Sequence, residues 1–210
     1  DALGTFLVTT NTLQTGGSNS GSNNTVSPSY STFVDVPASR WSAQYINKLA
    51  SMGVINGTGG GYFEPTLYVS REEFVKMLAG VAGANVSGYT SQRFPDVPVS
   101  RWSAPYIAWA VDHGITAGTD GGRFAPTMKI TREEMATMIY RYTQGAGKAL
   151  PTKNVPTTFA DAHRIDSWAQ IPVSIMQQAG IIDGNVVNGR YSFDPKVPAT
   201  REECAKMLCL

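Results

Sequence analysis

The feature that most constrains this chain is that it says the same thing three times. Phe33-Val-Asp35 recurs as Phe94-Pro-Asp96 and Phe159-Ala-Asp161, and Trp41 recurs as Trp102 and Trp168. Twelve residues after each Trp comes a glycine (Gly53, Gly114, Gly180), and four residues later another (Gly57, Gly118, Gly184). Phe63-Glu-Pro65, Phe124-Ala-Pro126 and Phe193-Asp-Pro195 follow, and six residues beyond each proline stands Arg71, Arg132 or Arg201. A unit of this kind cannot bury its apolar face alone, so the copies must pack on one another. Three is also a number that closes into a ring. That closure is an expectation from number and size, since periodicity does not dictate it.

Each copy reads as helix, glycine-rich loop, helix. In the first helix Trp41, Tyr45, Leu49 and Met52 recur at three- and four-residue steps and make one apolar face. Gly53, Gly114 and Gly180 sit where a left-handed C-terminal cap is needed. The second helix opens on Ser70-Arg71-Glu72-Glu73, Thr131-Arg132-Glu133-Glu134 and Thr200-Arg201-Glu202-Glu203. Each is a capping box, in which the hydroxyl caps the helix and the glutamate three residues on (Glu73, Glu134, Glu203) reaches back. Phe74, Met77 and Leu78 then carry the buried stripe, matched by Met135, Met138 and Ile139 and by Cys204, Met207 and Leu208.

The fold class expected is all-α: three helix-loop-helix units packed as a pseudo-threefold body, over residues 32–88, 89–150 and 151–210. Residues 14–31 are almost wholly Gly, Ser, Asn and Thr, a flexible-linker composition. Residues 1–13 contain Gly4–Thr10, which reads as a strand too short to be a domain. It is expected to end a preceding β domain, the covalently linked cargo of the repeats.

Composition excludes several classes. With 42% hydrophobic residues the chain can build a core. A net charge of +1 without a basic stripe argues against nucleic acid. No apolar run approaches the roughly 18–20 residues of a membrane span. Cys204 and Cys209 lack metal-ligand spacing, point different ways on one helix, and read as packing residues. His113 and His163 each occur in one copy only, and no hydrolase, zinc-protease or P-loop pattern appears. The paired glutamates are adjacent on a helix start, the wrong geometry to flank a glycosidic bond. The loop at Gly118-Thr-Asp120-Gly-Gly has one acid where a calcium loop needs several. Neither enzyme, metal nor cofactor is expected.

The combination of Phe-x-Asp, Trp, Gly-Val/Ile, Phe-x-Pro and Ser/Thr-Arg-Glu-Glu resembles the S-layer homology (SLH) family over residues 33–210. The family's usual second-helix signature is Ile-Thr-Arg-Ala-Glu. Here Glu72, Glu133 and Glu202 replace the Ala in every copy, a change expected to be tolerated on a solvated first turn. The resemblance implies a central helical bundle with three prongs, and grooves between repeats that grip a secondary cell wall polysaccharide. In many members that polymer is anionic through a pyruvate ketal; in some lineages the ligand is modified peptidoglycan. It also implies an extracellular, wall-associated anchor for an exported protein, against the rival of a protein–protein assembly module in a surface lattice.

By that resemblance Arg71, Arg132 and Arg201 grip the ligand carboxylate. The residues alone leave two readings. Free helix-start amides beside a guanidinium fork make an anion site, or each arginine pairs inside the chain with Asp35, Asp96 or Asp161 or with the adjacent glutamates. The three aspartates either cap or turn the backbone or orient an arginine or a sugar hydroxyl. Trp41, Trp102 and Trp168 are core, alone or with an edge facing the groove. Gly53, Gly114 and Gly180 are caps, with close approach to a ligand as the addition. The third copy departs most: Pro172 stands where Tyr45 and Tyr106 stand, and its loop from Asn185 to Arg190 is longer. The groove lined by Arg201 is therefore expected to be the weakest, or purely architectural.

Overall fold

A computed structural model describes residues 32–187 and 189–209. The expected strand at 1–13 and linker at 14–31 lie outside the described residues. Among the described residues six α-helices carry the fold: α1 (Ala43–Ser51), α2 (Arg71–Val81), α3 (Ala104–Asp112), α4 (Arg132–Gly145), α5 (Gln170–Gln178) and α6 (Arg201–Leu208). A single 3-10 turn at Ala162–Arg164 precedes α5. The longer third loop is a small antiparallel pair, β1 (Asn185–Val187) with β2 (Arg190–Ser192), in which Val186 faces Tyr191.

The helix ends follow their local chemistry. Ser70, Thr131 and Thr200 each cap the amide three residues on, while Glu73, Glu134 and Glu203 accept the cap residue's own amide at 2.7, 2.8 and 2.8 Å. At the other end of α1, α3 and α5 the chain turns at Gly53, Gly114 and Gly180 with φ of 70°, 66° and 70°. The amides of Val54, Ile115 and Ile181 then return to Leu49, Ala110 and Met176. Only glycine adopts that left-handed turn without steric cost.

The first helices are rotated from the expected face. Ala43, Ile46 and Leu49 are buried, whereas Trp41 and Met52 are about half exposed. Ser42 does not cap α1; its hydroxyl is spent on a neighbouring repeat.

The two helices of a repeat do not form a self-contained hairpin. The strong packing is between repeats: α3 lies on α2, α5 on α4, and α1 on α6. The last of these pairs joins the first repeat to the third and closes the ring. At its centre the residues just before α2, α4 and α6 bond in a cycle. Val69 N–H donates to Ala199 at 3.0 Å, Ala199 to Ile130 at 2.9 Å, and Ile130 to Val69 at 3.0 Å. All three side chains are buried. The threefold body expected from the repeat count is thus held by backbone as well as by apolar packing.

Candidate functional site

Every repeat sends its arginine into the next. Arg71 lies over the ring of Phe124 at 4.9 Å and donates from Nε to the Phe124 carbonyl at 2.8 Å. Arg132 does the same to Phe193, at 5.1 and 2.8 Å, and Arg201 to Phe63, at 4.3 and 2.7 Å. Stacked on an aromatic face with its Nε satisfied, each guanidinium is packed against the neighbouring repeat. Arg71 and Arg132 are buried and also pair through Nη1 with Glu134 and Glu203, the capping-box glutamates of the neighbouring repeats. Burial lowers the pKa of Arg71 and Arg201, opposed by Glu134 and by Glu73 respectively.

The amides at these helix starts are not bare. Arg71, Arg132 and Arg201 donate their backbone N–H to Met128, Val197 and Leu67, and Glu72, Glu133 and Glu202 donate theirs to Pro126, Pro195 and Pro65. With the capping boxes, these bonds consume the helix-start donors, so the expected amide socket does not exist. Ring closure supplied the missing acceptors.

The aspartates act structurally, though not as helix caps. Asp35 accepts from the amides of Phe63 and Glu64 at 2.8 and 2.6 Å. Asp96 accepts from Phe124 and Ala125, and Asp161 from Phe193 and Asp194. These bonds fix Glu64, Ala125 and Asp194 at φ of 56°, 56° and 58°, a conformation L-residues rarely adopt. Burial pushes the Asp35 and Asp96 carboxyls up, but the amide donors outweigh it and hold both below the usual carboxylate range. None of the three hydrogen-bonds or ion-pairs with an arginine of the helix starts, although Asp96 and Asp35 are close enough to favour the charged forms of Arg71 and Arg201.

The glutamates taken to lie on a solvated turn are buried. Glu72 receives Arg101 from Nε and Nη2, both at 2.7 Å, and the Ser103 hydroxyl at 2.5 Å. Glu202 receives Arg40 at 2.8 and 2.9 Å and Ser42 at 2.7 Å. Glu133 receives Lys196 and the Asp166 amide. Burial pushes the Glu72 carboxyl up, and its bonds to Arg101 and Ser103 more than reverse this. These clamps join the repeats pairwise, and sequence reasoning missed them. The signal was present: Arg-Trp-Ser occurs at 40–42 and 101–103, and is Ser-Trp-Ala at 167–169, where Lys196 substitutes.

Three equivalent grooves result, each assembled from all three repeats. The first, of about 300 Å³, has the loop Val54–Gly57 and Glu73, Lys76 and Met77 of the first repeat, Trp102 of the second and Arg201 of the third. The second, of about 410 Å³, has the loop Ile115–Asp120, Glu134 and Arg141, with Trp168 and Arg71. The third, of about 220 Å³, has Ile181–Asp183, Glu203 and Lys206, with Trp41 and Arg132. Arginine and tryptophan meet, as the resemblance implies, but from different repeats. The groove holding Arg201 therefore rests on the loop of the first repeat, and the divergence of the third copy bears on the groove of Arg132 and Trp41 instead.

The indoles of Trp41, Trp102 and Trp168 are 51%, 50% and 45% exposed, so they are groove walls and not core. Gly53, Gly114 and Gly180 launch the loops without lining the grooves; Gly57 and Gly118 line them. At Gly57 a Cβ would stand 2.5 Å from the Tyr62 carbonyl, and at Gly118 2.5 Å from that of Arg123. Among the described residues no group of His, Cys, Asp and Glu could hold a metal ion, and no helix is long and apolar enough to cross a membrane.

Comparison with known proteins matches the S-layer homology domain at residues 32–75, 93–136 and 158–205. An endoglucanase of Bacillus sp. (strain KSM-635) is 33% identical over 84% of this chain and 18% of its own length. A surface-layer 125 kDa protein of Lysinibacillus sphaericus is 29% identical over 80% of this chain and 14% of its own. A cellulosome-anchoring protein of Acetivibrio thermocellus is 31% identical over 73% of this chain and 34% of its own. The chain thus spans about a third or less of each of these relatives.

Proposed function

The chain belongs to the S-layer homology family, and from that premise we propose that it is a non-catalytic anchor that grips an anionic secondary cell wall polysaccharide in its grooves and tethers an exported protein. Membership makes it a cell-surface, cell-wall-associated module. The region shared with the endoglucanase is also shared with surface-layer and anchoring proteins, which supports a role without catalysis.

The observation that carries the glycan reading is the half-exposed indole beside a cation in every groove. An indole face covers the apolar C–H face of a sugar ring, while its N–H and the loop's backbone groups meet hydroxyls. Cations at the groove edge, Lys76, Arg141 and Lys206, attract an acidic substituent such as a pyruvate ketal. Grip therefore comes from indole faces and side-chain cations, the helix-start amides being already engaged. Three modest sites on one rigid body engage one polymer at high effective concentration, so retention exceeds any single-site affinity.

The test is sedimentation with purified, protein-free cell walls before and after chemical removal of ketal groups. The chain should pellet with intact walls, less so at high salt, and should stay in solution once the ketals are gone. Pelleting unchanged by ketal removal refutes the anionic recognition; failure to pellet with protein-free walls refutes glycan binding altogether.

A further inference from the structure

The threefold body accounts for residues that recur, and a few prominent ones do not. Trp109 stands where the other copies have Lys48 and Ile175, His113 where they have Met52 and Ala179, and Tyr142 where the first copy has Val81. Packing of equivalent repeats does not require them. The fold nevertheless gathers these three, with Tyr89, around one cavity of about 470 Å³ between the turn that leaves α2 and the last turns of α3 and α4. This cavity shares no residue with the three grooves. Ring centroids lie 5.2 Å apart for Trp109 and His113, 6.4 Å for Tyr89 and His113, and 6.5 Å for Trp109 and Tyr142. The apolar remainder of the lining is methyl-sized: Ala82, Ala84 and Ala146.

The polar atoms here define a pattern. Trp109 is only 4% exposed, and its indole N–H donates to no group among the described residues. No fully enclosed side-chain nitrogen or oxygen among those residues lacks a partner, so this N–H keeps an opening, and the cavity is the space Trp109 lines. A buried indole ordinarily finds an acceptor, and a ligand oxygen would supply one. His113 Nδ1 lies 2.9 Å from the Trp109 carbonyl. A carbonyl only accepts, so Nδ1 carries the proton, and Nε2 of the neutral ring is left as an acceptor. Among the described residues the lining holds no acid and one cation, Lys148, which donates to the Tyr142 hydroxyl at 3.2 Å and lies over that ring at 5.1 Å.

We infer that this cavity is a further carbohydrate site, outside the grooves, selective for the acetamido group of a neutral N-acetylated pyranose. A secondary amide presents its C=O and N–H on opposite edges of one plane. The carbonyl accepts from the Trp109 indole, the N–H donates to His113 Nε2, and the methyl rests on the alanines. Tyr89 and His113, the more exposed of the four rings, cover the C–H face of the sugar. A volume of this order holds one such unit. The site uses none of the groove tryptophans and recognises no charge, so it and the groove reading can fail separately. An acetamido sugar can come from a peptidoglycan strand or from the secondary polymer; the group recognised is the same.

Indole and imidazole resonances test this directly, because Trp109 and His113 report the cavity while Trp41, Trp102 and Trp168 report the grooves. The probes are the methyl glycoside of N-acetylglucosamine and methyl glucoside, which lacks the acetamido group. The first should shift the Trp109 indole N–H and the His113 ring, and the second should leave both in place. Trp109→Phe keeps an aromatic ring but removes the N–H, and should weaken the response read at His113 about fivefold. His113→Phe removes the acceptor and should weaken the response read at Trp109 by about the same factor. The groove indoles of each variant, unshifted without ligand, show it folded. Equal shifts with both probes, a silent Trp109, or variants that bind as tightly as the parent overturn the inference. Solubilised peptidoglycan strands and released secondary polymer, added separately, identify the source by displacing the probe from Trp109; displacement by neither overturns the assignment to a wall glycan. Movement at Trp109 with all three groove indoles silent upholds this site while the groove reading fails, and the converse sinks this site alone.

Discussion

Replacing Glu72 by Ala tests whether buried ion pairs between repeats hold the ring together. The Glu72 carboxylate is almost fully enclosed, with its side chain 7% exposed, and accepts two bonds from Arg101 and one from Ser103. Removing one partner of a buried pair costs about 3–5 kcal/mol when the other cannot escape. Arg101, at 27% side-chain exposure, can turn partly to water, which brings its share to about 2 kcal/mol. The Ser103 hydroxyl, in a fully buried residue, loses its acceptor for about 1 kcal/mol more. Glu72→Ala should therefore destabilise the domain by about 3 kcal/mol. In a double-mutant cycle with Arg101→Ala, measured by urea unfolding at constant slope, the coupling should be about 2 kcal/mol. A coupling below about 0.5 kcal/mol would show the pair to be ornamental and the reasoning wrong. The corresponding Glu133→Ala should cost less, because its cation, Lys196, is more exposed.

Four further outcomes are expected. Gly57→Ala should destabilise by about 1–3 kcal/mol, seen as a lowered Tm, because its Cβ would meet the Tyr62 carbonyl at 2.5 Å. Ala125→Gly should be stabilising or neutral in the same measurement, since relief of the left-handed strain at φ 56°, about 1–2 kcal/mol, offsets the entropy of a freer unfolded chain. Asp35, Asp96 and Glu72 have carboxyls held below their ordinary range in the folded state; their contribution is complete above that range and is lost as pH falls through the depressed folded values, so unfolding free energy should drop below about pH 4. Trp102→Ala should leave stability within about 1 kcal/mol, because the indole is half exposed, yet reduce wall retention in the sedimentation assay.

The repeat, the capping boxes and the glycine caps were legible because each depends on residues within a few positions of one another. Gly53 needs a left-handed turn whatever surrounds it, and Ser70 finds Glu73 in any context. What the linear pattern concealed depends on closure. Glu202 looks like a solvated first-turn residue until Arg40 and Ser42, roughly 160 positions earlier, arrive over it. The amides of Arg71 and Glu72 look free until Met128 and Pro126 cover them. Arg201 looks like part of a third-repeat groove until the fold delivers it to Asn56 and Phe63. Even the tryptophan face was rotated by this effect: the wall of each groove is exposed because the neighbouring repeat presses on Ala43, Ile46 and Leu49 instead.

The joint between α1 and α6 sets when the domain can come into being. Residue 43 begins a helix whose packing partner ends at residue 208, so all three repeats must be available before α1 has that surface to lie on. Early segments emerging from a ribosome or a translocation pore are left with apolar stripes and unmatched acids, and loop closure over that separation precedes any reward. The α2–α3 and α4–α5 joints can therefore form early, while closing the ring waits for α6.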